Sequence, residues 1–121
     1  MANPSTGFGG AGTEVLRRGY VDGMTNSEAT LLTGVANHIY TVLSIVFCNL
    51  AGASDETFHM YIDADNAGTN IFLLNDQPLN AESTFIFSDR FVLTETDRLH
   101  ATTADSADVD VWVSYIDQQL A

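Results

Sequence analysis

The chain has 121 residues, 45% of them hydrophobic, and its 16 acidic residues against 4 basic ones give a formal net charge of -12. This length suits a single domain, and the negative charge repels nucleic acid and anionic membranes, because Lys and Arg supply most of the affinity for phosphate. We therefore expect neither nucleic acid nor a membrane as a partner, and no stretch approaches the roughly 20 apolar residues of a membrane-spanning helix.

Residues 1–19 (MANPSTGFGGAGTEVLRRG) are predicted to form an extended N-terminal arm. Its glycines, with Pro4 and Ser5, cannot build a packed element alone. Ordering such a segment costs much conformational entropy, so we expect the arm to lie on another protein; a floppy tail is the alternative. Phe8, Arg17 and Arg18 are predicted partner contacts in this arm. For the two arginines, pairing with an acidic neighbour and simple solvation are equally good interpretations.

Residues 20–121 are predicted to form one β-sandwich domain, organised around His38–Leu50 (HIYTVLSIVFCNL). This is the longest apolar run, and its β-branched and aromatic residues favour a central strand over a buried helix. Alternation places two sets of side chains on opposite faces: Ile39, Leu43, Ile45 and Phe47 on one, and Tyr40, Val42, Val46, Cys48 and Leu50 on the other. Both faces must then be covered. Cys48 cannot form an intrachain disulfide, and we expect it to be a buried small hydrophobe.

Shorter strand candidates lie on both sides of this run. Tyr20–Met24 and Ser27–Thr33 precede it; Glu56–Asp63, Asn70–Leu74, Ser83–Ser88, Arg90–Leu93, Asp97–Thr102 and Ala107–Ile116 follow it. Ser83–Ser88 and Arg90–Leu93 are interpreted either as two strands or as one strand with a bulge. In Glu56–Asp63, alternation places Phe58, Met60 and Ile62 inward and Thr57, His59 and Tyr61 outward. In the last strand it places Val109, Val111, Val113 and Tyr115 together, opposite Trp112. About eight evenly spaced strands without a convincing amphipathic helix predict an all-β fold, an antiparallel β-sandwich or jelly roll.

No pattern in the sequence predicts an active site, a bound cofactor or a metal. Asp63-x-Asp65-x-x-Gly68 resembles the opening of a calcium loop, but Leu74 stands where the bidentate Glu belongs, so a turn is favoured. His38, His59 and His100 lack the spacing of a zinc site and are interpreted as exposed strand histidines. Asp108 and Asp110 share one face, as glycosidase carboxylates do, but such pairs arise by chance in so acidic a chain.

Several short motifs occur in a fixed order from Tyr40 to about Asp117. They are Thr41-Val42-Leu43-Ser44-Ile45 with Asn49, Tyr61-Ile62, Leu74-Asn75-Asp76-Gln77-Pro78-Leu79-Asn80-Ala81, Phe91-Val92-Leu93, Asp97-Arg98-Leu99-His100-Ala101, and the strand from Val109 to Ile116. This succession resembles small β-sandwich structural proteins of tailed bacteriophages, the class of capsid decoration (cement) proteins. Thr96 stands where that class usually has Gly, so one turn differs.

The resemblance implies a non-enzymatic virion structural protein without cofactors. It would be made in the host cytoplasm, bind the major capsid protein or another virion protein on the capsid exterior, and brace neighbouring capsomers. A homo-oligomer is expected, with a trimer favoured. A head–tail or fibre-associated virion subunit is one alternative. A carbohydrate-binding module, which would use exposed Trp112, Tyr61 and aspartates, is an alternative from another class.

Trp112 is the strongest candidate contact residue in the sandwich domain. It lies opposite the valine face of the last strand, so a lone sandwich would leave it exposed. Large aromatic side chains are enriched at the cores of interfaces. We therefore predict that Trp112 contacts another subunit or the capsid, together with Tyr40 or Val46 from the second face of the central strand.

Overall fold

The computed structural model describes residues 13–105 and 108–120, and these form an all-β fold. The strands are β1 (Thr13–Met24), β2 (Ala29–Thr33), β3 (His38–Asn49), β4 (Glu56–Asp63), β5 (Asn70–Leu79), β6 (Thr84–Phe87), β7 (Phe91–Thr94), β8 (Arg98–Thr103) and β9 (Val109–Gln119), with a short 3-10 turn at Ala64–Asn66. The described residues thus form nine strands where the sequence predicted about eight. Residues 84–94 account for the difference, because they form β6 and β7, which both pair with β3.

The strands form two antiparallel sheets that pack face to face. One is five-stranded with the order β1-β9-β3-β6, and β7 also pairs with β3; the other is four-stranded with the order β2-β8-β4-β5. The chain passes repeatedly between the sheets, and each sheet places strands side by side that are distant in sequence. This is the strand order of a jelly roll, and it confirms the predicted antiparallel sandwich.

The core lies between the two sheets. Phe47 of β3 and Phe58 of β4 are fully buried, and their ring centroids lie 4.2 Å apart across the sandwich. Met60 is also buried, as predicted, and so are Val109, Val111 and Val113 of β9. The inward side chains of both sheets therefore form one apolar layer, and the even-numbered residues of β9 face away from it.

The central strand β3 contains an irregularity that the sequence analysis missed. Its pairing with β9 shifts register between Val42 and Ser44, which is the signature of a β-bulge. An extra residue reverses the alternation of side chains, so Tyr40 and Val42 face the core on one side of the bulge, and Ile45 and Phe47 do so on the other. The prediction that Tyr40 shares the second face with Val46 is therefore wrong.

The first strand crosses the predicted boundary between arm and domain. β1 begins at Thr13 and pairs with β9 from Thr13 opposite Gln119 to Met24 opposite Val109. Residues 13–19 therefore lie on their own sandwich, which corrects the expectation that they lie on another protein. The reason is that Val15 and Val21 point inward and β9 satisfies the backbone of this segment. Phe8 lies outside the described residues, and the arm formed by the first twelve residues stays a prediction.

Candidate assembly surface

The side of the five-stranded sheet that faces away from the core is called the outer face here. The register of its strands aligns Tyr20 of β1, Trp112 of β9, Val46 of β3 and Ile86 of β6 in one continuous row. Tyr20 is 60% exposed, Trp112 48% and Ile86 60%. We call these four residues the aromatic row. A second, parallel row contains Leu16, Ile116, Thr41 and Val92, of which Leu16 and Val92 are exposed.

Arg18 holds the two aromatic rings of the outer face in place. The rings of Tyr20 and Trp112 stack with centroids 5.9 Å apart and an angle of 17° between their planes. The Arg18 guanidinium lies 5.3 Å from each ring centroid. A cation within about 6 Å of an aromatic face is attracted by the ring quadrupole. These contacts order large side chains before any partner arrives, which lowers the entropy cost of binding.

A shallow groove of ≈370 Å³ lies beside the aromatic row, between it and the neighbouring positions Asp22, Asp110 and Cys48. Tyr20, Trp112, Val46 and Cys48 line it together with two aspartates, Asp22 and Asp110. Asp110 accepts a hydrogen bond from the backbone N–H of Gly23, at 2.9 Å, and Asp22 is exposed. Cys48 is half-buried and opens into the groove, so the expectation that it is a buried core residue is wrong. The bulge in β3 is the cause, because it turns Val46 and Cys48 outward together.

Arg17 points the opposite way from Arg18. Its Nε lies 2.9 Å from Oδ2 of Asp117, whose other oxygen lies 2.6 Å from Nδ1 of His38. The Asp117 side chain is 8% exposed. Arg17 is therefore paired within its own chain, on the inner side of β1. Burial, and after it the charge of the nearby Asp117, raise the pKa of Tyr40 above its ordinary value. Burial also raises the pKa of Tyr115, and the charge of Arg17 partly offsets that rise.

On the outer side of the four-stranded sheet, aromatic rings pack around Tyr61, and one of them, Phe72, is 49% exposed. The Tyr61 ring lies 5.0 Å from the Phe72 ring and 5.7 Å from the His100 ring. The Tyr61 hydroxyl donates a hydrogen bond to Glu28. Burial, then this hydrogen bond, raise the pKa of Tyr61 well above its usual range.

The three histidines differ from the exposed strand histidines that the sequence predicted. His100 is buried, with its Nδ1 3.1 Å from the Thr30 hydroxyl, and His38 and His59 are partly buried. Each of the three imidazole rings contacts a residue that is distant in sequence. Within residues 13–105 and 108–120, no group of three or more His, Cys, Asp or Glu side chains is placed to hold a metal ion. The same described residues contain no helix that is long and apolar enough to cross a membrane.

No protein-family model matches the chain, and no curated protein matches it. Solved structures do. One belongs to Bacillus endospore appendages, described as a novel family of disulfide-linked pili, with 15% identity over 100% of this chain and 96% of that chain and a TM-score of 0.57. Another is the acidic stable capsid structure of Helicobacter pylori bacteriophage KHP30, with 8% identity, 89% of each chain covered and a TM-score of 0.54. The likeness is one of fold.

The structure places the predicted contact residues in three different environments. On the outer face, Trp112 and Val46 lie in the aromatic row and Arg18 lies beside it; Arg17 is paired with Asp117 on the inner side of β1. Tyr40 is buried in the core, so of the two residues predicted to make contacts from the second face of β3, only Val46 remains a candidate. Sequence reasoning missed Tyr20 and Ile86, although Leu16, Arg18 and Tyr20 alternate along β1. Counting residues 13–19 as arm hid that alternation.

Proposed function

We propose that this chain is a non-enzymatic virion structural protein, a capsid decoration (cement) subunit of a bacteriophage. It binds the assembled shell from outside, through the major capsid protein or another virion protein, and braces neighbouring capsomers. The observation that carries the proposal is the outer face, where ordered aromatic and aliphatic side chains are exposed on an otherwise acidic molecule. Contiguous exposed apolar patches of several hundred Å² mark interaction sites. The motif resemblance and the fold likeness to a phage capsid structure support the same class.

The first experiment measures binding of the full chain to emptied shells of the phage that encodes it, by co-sedimentation and by electron microscopy of the particles. We expect saturable binding to assembled shells and none to free capsid protein. A subunit of the neck, tail or fibre, the alternative within virion proteins, would label only that part of the particle. Absence of binding to every part of the virion would contradict the proposal.

A matched pair of variants tests the role of the outer face. Ile86 on the outer face is 60% exposed, and Ile71 on β5 of the other sheet is 52% exposed. Replacing either one by Ser removes a similar apolar area and should change folding stability little, because both side chains are already in contact with water. We expect Ile86→Ser to weaken assembly and Ile71→Ser to leave it unchanged. Equal effects of the two substitutions would mean that the outer face is not the contact.

Deleting the first twelve residues tests the arm. Because residues 13–19 are part of β1, this truncation leaves the described sheet complete. We expect the thermal transition of the free protein to be nearly unchanged and binding to the shell to be lost. As a control, deletion of residues 1–19 removes half of β1 and should lower the transition clearly. A shorter truncation that melts as early as the longer one would place the arm in its own core.

A subunit of a surface filament is a second candidate, favoured by the likeness to the endospore appendage structure over the full length of this chain. That structure is described as disulfide-linked, whereas this chain has one cysteine. One cysteine permits one disulfide per copy, so disulfides could join copies only in pairs, and a filament would need other contacts. Filaments formed by the purified protein alone would favour this candidate over decoration.

The carbohydrate-binding alternative now depends mainly on Trp112. Tyr61, its other expected aromatic residue, lies against Phe72 and donates its hydroxyl to Glu28, so its ring is already covered. Trp112 stacks on Tyr20 but remains about half exposed. A glycan array probed with the full chain tests this class directly. Specific binding that is lost in Trp112→Ala would support a sugar-binding module.

A further inference from the structure

Charged and aromatic side chains follow one another along the outer face of β1. Arg18, Tyr20 and Asp22 occupy successive outward positions, which lie about 7 Å apart on a strand. Arg18 and Asp22 therefore flank the aromatic row on opposite sides, at similar distances. Neither of them forms a salt bridge within the part of the chain that the structure describes. Besides Glu14 and Asp110, the face thus carries an exposed positive charge at Arg18 and an exposed negative charge at Asp22, on opposite sides of the row.

A two-fold axis along the aromatic row would match these charges. In an isologous contact, if one residue meets a second residue of the partner, that second residue meets the first in return. Rotation by 180° about the row keeps each strand opposite its own copy and reverses its direction. Arg18 then faces Asp22 of the partner subunit and Asp22 faces the partner's Arg18. Tyr20 meets its own copy between the two ion pairs, and Trp112, Val46 and Ile86 meet their own copies farther along the axis.

We propose that two copies of this chain pair through their outer faces about a two-fold axis that runs along the aromatic row. The proposal goes beyond the proposed function, because it assigns the aromatic row to the contact between copies and leaves the parallel row, with exposed Leu16 and Val92, for contact with a shell. It predicts an even number of chains in the assembly, in place of the trimer that the motif resemblance favoured. Two sheets that stack with strands nearly aligned, about 10 Å apart, are the ordinary way for such faces to pack.

The charges of the outer face favour this axis over an alternative axis along the neighbouring row. An axis along the next row, which contains Arg18, Ser114 and Ser44, would cover more apolar surface, since the aromatic row would then face the Leu16 row. That arrangement places Arg18 against Arg18 of the partner subunit and Asp22 against the partner's Glu14. Like charges directly opposite each other cost free energy at an interface. The axis along the aromatic row replaces both repulsions by attractions.

The part of the face that this axis overlays is small. The strands extend only three or four residues past the aromatic row, to Met24, Asn49 and Val109, so the overlap is four strands wide and about seven residues long, on the order of 450 Å² per copy, which is the size of a weak, reversible interface. The acidic side chains of the outer face lie at its two ends, with Glu14 at one and Asp22 and Asp110 at the other. The aromatic row lies next to the second of these ends, so the pairing of Asp22 with Arg18 of the partner subunit offsets part of the repulsion between two copies that each carry a charge of -12.

A charge swap tests the pairing with the full chain. Light scattering across a concentration series gives the mass and the dissociation constant of the wild type, Arg18→Asp, Asp22→Arg and the double variant with both changes. We expect a wild-type dimer, and a dissociation constant about tenfold higher or more for each single variant, because each change affects two symmetry-related pairs. The double variant should return to within about threefold of the wild type. Asp76→Arg, on the opposite sheet, alters the net charge equally and should have no effect.

Each outcome of these measurements either supports the pairing or overturns it. A dimer that both single changes weaken and the swap restores supports the pairing. A monomer at about 100 µM, a trimer, or a swap as weak as either single variant overturns it, and so does an Asp76→Arg effect as large as that of Asp22→Arg. Thermal melts of each variant confirm that the chain is folded. A dimer that fails to bind shells would contradict only the proposed function, whereas a monomer that binds shells would contradict only the pairing.

Discussion

At the scale of single residues, Tyr61 shows how neighbours give one side chain a structural role. Its ring lies between Phe72 and His100, and its hydroxyl donates to the Glu28 carboxylate, which precedes β2. A hydrogen bond to an ionised acceptor is stronger than one between neutral groups. This bond joins β4, near the middle of the four-stranded sheet, to the segment that leads into edge strand β2.

Tyr61→Phe should lower the free energy of unfolding by about 1 kcal/mol, because it removes this hydrogen bond and leaves the ring in place. Tyr20→Phe is the matched control. The Tyr20 ring is mostly exposed, and we expect a change within about 0.5 kcal/mol. Urea unfolding of both variants at neutral pH gives the comparison. Equal losses in the two would show that the Tyr61 hydroxyl contributes no more than a surface group.

The raised pKa values of Tyr40, Tyr61 and Tyr115 predict how stability depends on pH. The folded chain holds these phenolic protons more tightly than the unfolded chain, in which tyrosine titrates near 10.0. The resulting stability is complete below pH 10 and is lost as the pH rises above it, because the unfolded state then releases protons first. Urea unfolding at pH 8 to 11 should show this fall, with a smaller slope in Tyr61→Phe. An unchanged slope would contradict the assignment to Tyr61.

At the scale of elements, the bulge in β3 decides which side chains of the central strand lie on the outer face. On one side of it Tyr40 and Val42 face inward, and on the other Ile45 and Phe47 do so. A strand without the bulge would turn one of these pairs into water, and reversal of the Ile45 and Phe47 half would also withdraw Val46 from the aromatic row. The bulge is therefore required both for the core and for the outer face.

Deleting Leu43 should remove the extra residue and restore simple alternation. We expect a loss of about 3 kcal/mol or more in unfolding free energy, or failure to fold, since one half of β3 must then present its apolar side chains to solvent. Leu43→Val, which keeps the length of the strand, should cost less than about 1.5 kcal/mol. Denaturant unfolding of both variants distinguishes the effect of strand length on stability from the effect of side-chain volume. A stable deletion variant would show that the bulge is dispensable.

At the scale of the whole molecule, the formal charge of -12 governs how copies assemble. In the proposed assembly, copies crowded on a shell would repel one another, and salt screens such repulsion to within roughly 8 Å at physiological ionic strength. Attachment to a shell must then depend on apolar and backbone contacts. Arg17 is already paired with Asp117, which leaves Arg18 as the cation of the outer face.

Added salt should therefore leave binding to emptied shells unchanged or strengthen it. A protein that binds phosphate behaves in the opposite way, because its affinity falls steeply as salt rises. Occupancy of shells measured from low to high salt makes the comparison, with the Arg18→Ala variant as a control for any contribution from that cation. Release of the wild-type chain at moderate salt would mean that ion pairs hold it in place.

The local pattern of the sequence determined the class of fold and much of the core. Alternation along β4 and β9 predicted the burial of Phe58, Met60 and the three valines, and the outward direction of Trp112, because a regular strand repeats every two residues. Turn residues between short apolar runs predicted an antiparallel sandwich, because short connections join antiparallel strands. These features depend on residues that are neighbours in the chain.

Tertiary structure alone decided the rest, because it depends on which strands pair and in which register. Tyr20 meets Trp112 only through the pairing of β1 with β9, and Arg17 reaches Asp117 across a separation of 100 positions. The covering of His100 and Tyr61 by residues of neighbouring strands follows from register in the same way. A one-residue bulge reverses faces without leaving a clear mark in the pattern of apolar residues, and this is why Tyr40 lies in the core and Val46 on the surface.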